Sequence, residues 1–387
     1  MTDFQHARTV MALLARRYAL RAIWVMSLAY PCLLLILACV INPLAGERNA
    51  TLAFLLYLPQ SIWIFSLLPF AAAAWFFCRR WIWIYPLLII LFMILGMGWR
   101  AQPFGPGTDG PESVTIRLMT FNRGQHSSYS LQPFKNREQP DVILLQEAPR
   151  REANYRRSEG YREFPHIHSM GEFIAMSKWP ILGISEVRSP QRVVFGSTAR
   201  DGLANGAPLS GDLLAMRLEL ALPSGDKFAI YNVHFPTPRD ILNDCKRGGF
   251  LTGIIGVPGT PWGRKRNRYE DYWGQRIDQA KYFIRVVNED PLPAIVAGDF
   301  NMPSSGYVYR MFSTHWKDSH CEAGTGFGYT FPGRTRNFFS LGGAWLRLDY
   351  VFSTDGWEVG RSVVETQGNS QHRPLSVTLE LQQDASS

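Results

Sequence analysis

Seven polar residues stand at the ends of short apolar runs, and their types limit the chemistry they could do together. Val114–Thr120 runs into Phe121–Asn122, and Asp141–Leu145 runs into Gln146–Glu147. Phe228–Val233 contains Asn232 and leads to His234, and Ala294–Ala297 leads to Gly298–Asp299–Phe300–Asn301. Leu348–Phe352 carries Asp349, and His372–Arg373–Pro374 precedes Leu375–Leu381. Gathered at one edge, these runs would bring Asn122, Glu147, His234, Asp299, Asn301, Asp349 and His372 into one cleft. Carboxylate and amide oxygens suit a hard divalent cation, and imidazole moves protons near neutral pH. Each residue alone has a plainer reading. Asn122 would serve as a turn residue, Glu147 as a solvated charge, Asp299 and Asn301 as a cap before Pro303, and Asp349 as a partner for Arg347. The two histidines singly read as ordinary surface or core residues. Rival chemistries lack their signatures: there is no P-loop, no nucleotide-binding glycine fingerprint and no G-x-S-x-G elbow. Five cysteines at 32, 39, 78, 245 and 321 form no zinc or redox spacing.

The elements that must position these residues are short and apolar. The runs above, with Phe173–Met176 and Leu213–Leu220, read as strands, and Ile277, Ala280, Phe283, Ile284 and Val287 give Tyr272–Asn288 a helical face. No fixed-period repeat or low-complexity tract interrupts them. Residues 114–382 therefore read as one α/β domain with its own core. Ala101–Ser113 holds three prolines and three glycines and reads as a linker.

Ahead of the linker, residues 1–100 are of another kind. Ala22–Ile41, Leu52–Phe77 and Trp81–Trp99 are uncharged runs of 20, 26 and 19 residues. A bilayer core of about 30 Å takes roughly 20 apolar helical residues, so the expectation is three transmembrane helices near 22–41, 52–77 and 81–99. Trp24, Trp75, Trp81, Trp83 and Trp99 fall near the run ends, where interfacial aromatics gather. Ala22–Ile41 exceeds the usual signal-peptide core of about 7–15 residues. Arg8, Arg16, Arg17 and Arg21 precede the first run, and Arg79 and Arg80 lie between the second and third; Arg48 between the first two is offset by Glu47. The positive-inside rule then puts the N-terminus in the cytoplasm and everything after residue 100 outside, with only Arg100 on the wrong side.

The net charge of +8 sits mostly in this part: residues 1–100 carry eight arginines against Asp3 and Glu47. The remainder is nearly neutral, so it has no overall electrostatic case for nucleic acid. One segment within 236–270 stands out. Gly248–Gly263 is apolar and uncharged, with Lys246 and Arg247 on one shoulder and Arg264, Lys265, Arg266 and Arg268 on the other. Such a loop suits an anionic membrane surface, at roughly 1 kcal/mol per nearby cation, or else folds over its own domain.

The succession MTFN (119–122), LLQE (144–147), MSKWPI (176–181), YNVHF (231–235), AGDFN (297–301), YTF (329–331), RLDYVF (347–352) and SQHRPL (370–375) resembles the endonuclease/exonuclease/phosphatase superfamily, whose members include deoxyribonuclease I. The resemblance spans 114–382, and the three apolar runs are similar to those of a bacterial membrane-anchored subgroup. It implies a four-layer sandwich of two packed β-sheets flanked by helices. It also implies that Glu147, with Asn122 beside it, holds Mg²⁺ (or Mn²⁺), that Asp299 orients or deprotonates water, and that Asn301 donates to the phosphate. His372 and Asp349 would form a proton-transfer pair, with His234 as a second donor. The family's usual Asp before the last histidine is Gln371 here, which removes a negative charge from a metal-binding or water-orienting position. The expected protein is a multi-pass cell-membrane hydrolase, metal-dependent and facing outward, that acts on a phosphate ester or diphosphate, lipid-linked substrates included. Two alternatives stand beside it: a nuclease on the same fold, and a phosphoester-binding module weakened by Gln371.

Overall fold

A computed structural model describes residues 2–77, 79, 82–102, 114–124, 129–195, 211–245, 247, 249, 254, 256, 261–333, 338, 342–366 and 370–382. Fourteen strands are formed: β1 (Arg100–Ala101), β2 (Val114–Asn122), β3 (Val142–Gln146), β4 (His166–Met170), β5 (Phe173–Ser177), β6 (Ile181–Arg188), β7 (Leu213–Ala221), β8 (Lys227–His234), β9 (Ala294–Asp299), β10 (Lys317–Asp318), β11 (Thr325–Gly326), β12 (Asp349–Ser353), β13 (Trp357–Val364) and β14 (Leu375–Leu381). Twelve of them make two six-stranded sheets, ordered β13-β14-β2-β3-β5-β4 and β10-β12-β9-β8-β7-β6.

Strand periodicity explains the layering, because alternate side chains leave opposite faces. On β2, Ile116 and Leu118 enter the core between the sheets, while Met119 and Phe121 enter a second core under the Gln132–Glu138 helix. On β9, Ile295 and Ala297 face the other sheet, while Ala294 and Val296 pack beneath the Pro261–Asn288 and Tyr307–Ser313 helices. The result is an α/β sandwich with helices on both outer faces. Inner strands are buried on both sides, so they read as unbroken apolar runs.

Pairing register brings the polar run ends together. β2 and β3 are parallel, as are β8 and β9, so Asn122, Glu147, His234 and Asp299 leave their strands at one edge. β12 is antiparallel to β9 with Asp349 opposite Asp299, and β14 begins opposite Thr120 just after His372.

The N-terminal third departs from three straight spans. Among the described residues, one helix, Leu13–Arg48, is long and apolar enough to cross a membrane. The second apolar run is broken: Ala50–Leu56 and Ser61–Phe76 meet at 91°. Asn49 starts the first piece by accepting the Thr51 and Leu52 amides at 3.0 and 3.2 Å, and Pro59 lies in the break. Ala50 and Ala53 then bury against Tyr269 and Trp273 of the sandwich. The third run contains a helix of only 12 residues, Ile84–Leu95, which at 1.5 Å per residue is about 18 Å long. The expected linker begins differently as well: Arg100–Ala101 pairs with Thr325–Gly326, and residues 103–113 lie outside the described residues.

Most of the apolar loop within 246–260 also lies outside the described residues. Ile254, which is described, is buried against Ala50, Ala53, Tyr269 and Trp273. Cys32, Cys39, Cys245 and Cys321 are free thiols.

Candidate active site

Each side chain at the common edge is fixed by its strand end. Gly298 has φ 147°, and a Cβ there would meet the Val233 carbonyl oxygen at 2.0 Å, so only glycine allows β8 and β9 to bring His234 beside Asp299. Glu147 and Asn301 both adopt left-handed backbone, φ 49°. Such strain costs about 1–3 kcal/mol and survives where surrounding bonds over-determine it. Around Asn301 they do. Its amide donates to Asp299 Oδ1 at 2.8 Å, and its side-chain Nδ2 donates to the Phe235 carbonyl at 3.0 Å and to Asp299 Oδ2 at 3.2 Å.

Asp299 is the hub. Asn122 Nδ2 donates to its Oδ2 at 2.8 Å and to Glu147 Oε1 at 3.2 Å. His372 Nε2 lies 3.6 Å and His234 Nε2 3.8 Å from the same Oδ2. The structure thus brings together Asn122, Glu147, His234, Asp299, Asn301, Asp349 and His372. Gln371 stands apart: its carbonyl accepts the Gly333 amide, and its exposed side chain makes no hydrogen bond among the described residues. Asn301, expected as a phosphate donor, uses both amide hydrogens inside the protein.

Two imidazoles are oriented by carboxylates. His372 Nδ1 is 2.8 Å from Asp349 Oδ2, and His234 Nδ1 is 2.8 Å from Glu172 Oε1. Burial disfavours the charge on His372, but the Asp349 and Asp299 charges outweigh it and push the ring up to about 9. Burial likewise opposes the charge on His234, and the Glu172 bond with the nearby acids raises that ring to about 8. Asp299 moves upward from the usual carboxylate range because it is buried, with His372 opposing and Asp349 adding to the rise. Burial alone would raise Glu172, but the His234 hydrogen bond and the His234 charge together hold it below that range.

The donor chemistry fits a divalent cation. The tightest ligand set is Asp299, Asp349 and His372, with one atom from each within 4.8 Å of the others. His372 is a poor member, because its Nδ1 is engaged by Asp349 and a protonated ring has no lone pair to give. Glu147 is the better ligand: its carboxylate accepts from a neutral amide, Asn122 Nδ2, where a cation would be favoured. The Glu147 side chain is 19% exposed, so the position is open to solvent. Asp349 Oδ1 and His234 Nε2 are buried without hydrogen-bond partners, leaving one acceptor and one ring nitrogen free at the edge.

Sequence reasoning missed Glu172, which orients His234. It belongs to a two-residue hairpin loop between β4 and β5, where Gly171 takes φ 59° and Met170 pairs with Phe173. A Gly-Glu pair between two short runs was a readable turn signal. It missed Tyr57 and Arg276 too, which both donate to the Asn301 carbonyl at 2.8 Å. No local pattern marks these two, because they come from 244 and 25 residues away.

A sequence profile described as the endonuclease/exonuclease/phosphatase family matches residues 135–372. No curated protein matches the chain. Among solved structures, an endonuclease/exonuclease/phosphatase family protein from Bacteroides thetaiotaomicron is 14% identical, covering 70% of this chain and 100% of its own, with a TM-score of 0.49. A protein of the same description from Bacteroides vulgatus is 18% identical, with coverages of 70% and 100% and a TM-score of 0.47. A mannosyl-6-phosphatase from Bacteroides thetaiotaomicron is 15% identical, with coverages of 68% and 99% and a TM-score of 0.45.

Proposed function

The chain belongs to the endonuclease/exonuclease/phosphatase family, and from that premise we propose that it is a membrane-anchored, metal-dependent phosphoesterase that uses water as the nucleophile. The observation that carries this reading is the convergence of both histidine Nε2 atoms on Asp299 Oδ2. Mg²⁺, with Mn²⁺ as a substitute, would be held by Glu147 with Asn122 beside it, and would supply Lewis-acid polarisation of a phosphoryl oxygen. Asp299 accepts the proton of the attacking water, and its elevated proton affinity suits it to that work. Asn301 fixes the Asp299 carboxylate through both of its nitrogens. His372, oriented by Asp349 and carrying a proton on both ring nitrogens near neutral pH, presents Nε2–H to the phosphate or to the leaving oxygen. His234, held by Glu172, is the second donor.

The membrane anchor is supported by the Leu13–Arg48 helix and by where large apolar side chains are exposed. Among the described residues, nineteen of these lie between Met11 and Leu95, and only Leu182, Trp262 and Phe338 lie in the sandwich. The arginine distribution, with Arg8, Arg16, Arg17 and Arg21 ahead of the apolar run in the Leu13–Arg48 helix, supports an outward-facing domain. A lipid-linked phosphate or diphosphate is the substrate class we favour over nucleic acid. Support comes from the anchor and from the nearly neutral sandwich.

The test is hydrolysis by the full chain in detergent with Mg²⁺ or Mn²⁺, offered a lipid diphosphate and plasmid DNA side by side. Metal-dependent phosphate release from the lipid, abolished in Glu147→Ala, is the expected result. Cleavage of DNA alone would make the protein a nuclease. Silence on both substrates, relieved by Gln371→Asp, would make it a binding module.

A further inference from the structure

The short segment between the first two apolar helices reaches into the site. Tyr57 Oη donates to the Asn301 carbonyl at 2.8 Å, and Arg276 Nη2 donates to the same oxygen at the same distance. The segment is itself held firmly. Trp345 Nε1 donates to the Tyr57 carbonyl at 3.3 Å, and the Tyr57 ring stacks on Trp273 with centroids 5.8 Å apart. Glu47 is buried, and its Oε2 accepts the Tyr307 and Val308 amides at 2.7 and 3.2 Å, supplying the first turn of the Tyr307–Ser313 helix with a capping carboxylate. That helix is preceded by Gly306, where a Cβ would meet Glu47 Oε1 at 2.4 Å, so the chain makes room for a carboxylate from another element. Glu47 and Tyr57 therefore grip both ends of the 301–308 stretch that follows Asp299.

We infer that Tyr57 is a positioning residue for the hydrolytic site, and that the Gly46–Tyr57 segment is part of the catalytic unit as well as a link between helices. The reasoning runs through Asn301. Its left-handed backbone is the unfavourable state for a side-chain-bearing residue, and that state aims its amide and Nδ2 at the two oxygens of Asp299. The two donors on its carbonyl lock the peptide plane in this orientation. Without the Tyr57 hydroxyl the plane has one anchor fewer, and Asp299 loses alignment with the water it serves. Small misplacements of this kind lower turnover more than binding. The consequence is regulatory: the site is complete only while the N-terminal helices are seated on the sandwich.

This inference rests on the hydrolytic reading, so its test has one arm that needs no turnover. Full-length protein in detergent carries Tyr57→Phe, which keeps the ring on Trp273 and removes only the hydroxyl; Tyr18→Phe, on the exposed face of the first helix, is the comparator. Bis(p-nitrophenyl) phosphate with Mn²⁺ is the substrate probe, and amide hydrogen exchange over residues 297–306 is the second readout. The expected result for Tyr57→Phe is a kcat about five- to tenfold lower, KM within about twofold, an unchanged melting temperature, and several-fold faster exchange at 300–302. Unchanged kcat and unchanged exchange overturn the inference, as does a change confined to KM. If the unmutated protein hydrolyses nothing, the hydrolytic reading falls while exchange still decides whether Tyr57 holds Asn301.

Discussion

The sandwich and the N-terminal third use the same apolar residues in opposite ways. In the sandwich, β3 and β9 bury every side chain, and each polar residue at the common edge has a partner fixed by strand register. In the N-terminal third many large side chains are exposed, Phe76 and Trp83 at 77% and 80%, and the buried acid Glu47 makes its bonds to the sandwich. An apolar run records the solvent it is meant for but not the path it takes. A hydrogen-bonded ladder records both, because register decides which residues meet.

The largest test of that contrast lies at the ladder edge. His372→Ala should reduce hydrolysis about 10²- to 10⁴-fold while leaving the melting temperature nearly unchanged, measured on the same preparation. A matching collapse in stability would mean the edge is structural. The proton that His372 presents is bound below a value of about 9, so in metal-free protein its imidazole resonances should titrate there. Asp349→Asn should move that titration downward.

Next in size is the sandwich's own buried pair. Arg347 Nη2 lies 2.7 Å from Asp318 Oδ2, both side chains nearly inaccessible, so Arg347→Met should cost about 3–5 kcal/mol in denaturant unfolding by stranding the carboxylate. Burial alone would raise Asp318, but the Arg347 charge and the Tyr309 hydrogen bond hold it below the usual range. Its stabilisation is thus present above about pH 4, the unfolded value, and disappears as pH falls through the folded one. Acid unfolding of Arg347→Met should show a shallower loss over that window; an identical profile would remove the pair from the account.

The smallest effect belongs to the N-terminal third. Asn49→Ala removes the cap of Ala50–Leu56 and should cost about 1 kcal/mol, read as faster amide exchange in 50–56. If exchange also quickens at 300–302, the two regions are coupled more tightly than their separate chemistries suggest.

How much of this was legible depended on burial. The inner strands were visible as apolar runs, and the site residues were visible because they interrupt those runs. β4, β6 and β13 were not read as strands. All three are edge strands, β6 half-exposed or exposed at every position but Val187 and β13 slipping register between Val359 and Arg361. An edge strand has half the neighbours and a correspondingly weak pattern. The bend within the second apolar run was missed for a different reason: Pro59 is tolerated inside membrane helices, and the first piece is turned aside by contacts with Tyr269 and Trp273, some 200 residues later.

The position of β14 bears on how the molecule is made. It is the last strand in the chain, yet it sits between β13 and β2, and His372 precedes it directly. During synthesis β2 emerges before β14, and its edge stays open until that later strand arrives. Through that interval Asp349 and Asp299 are without His372, so the polar edge is incomplete. Strand order thus sets the order of assembly: the polar edge is completed only when the segment carrying His372 comes to lie beside β2.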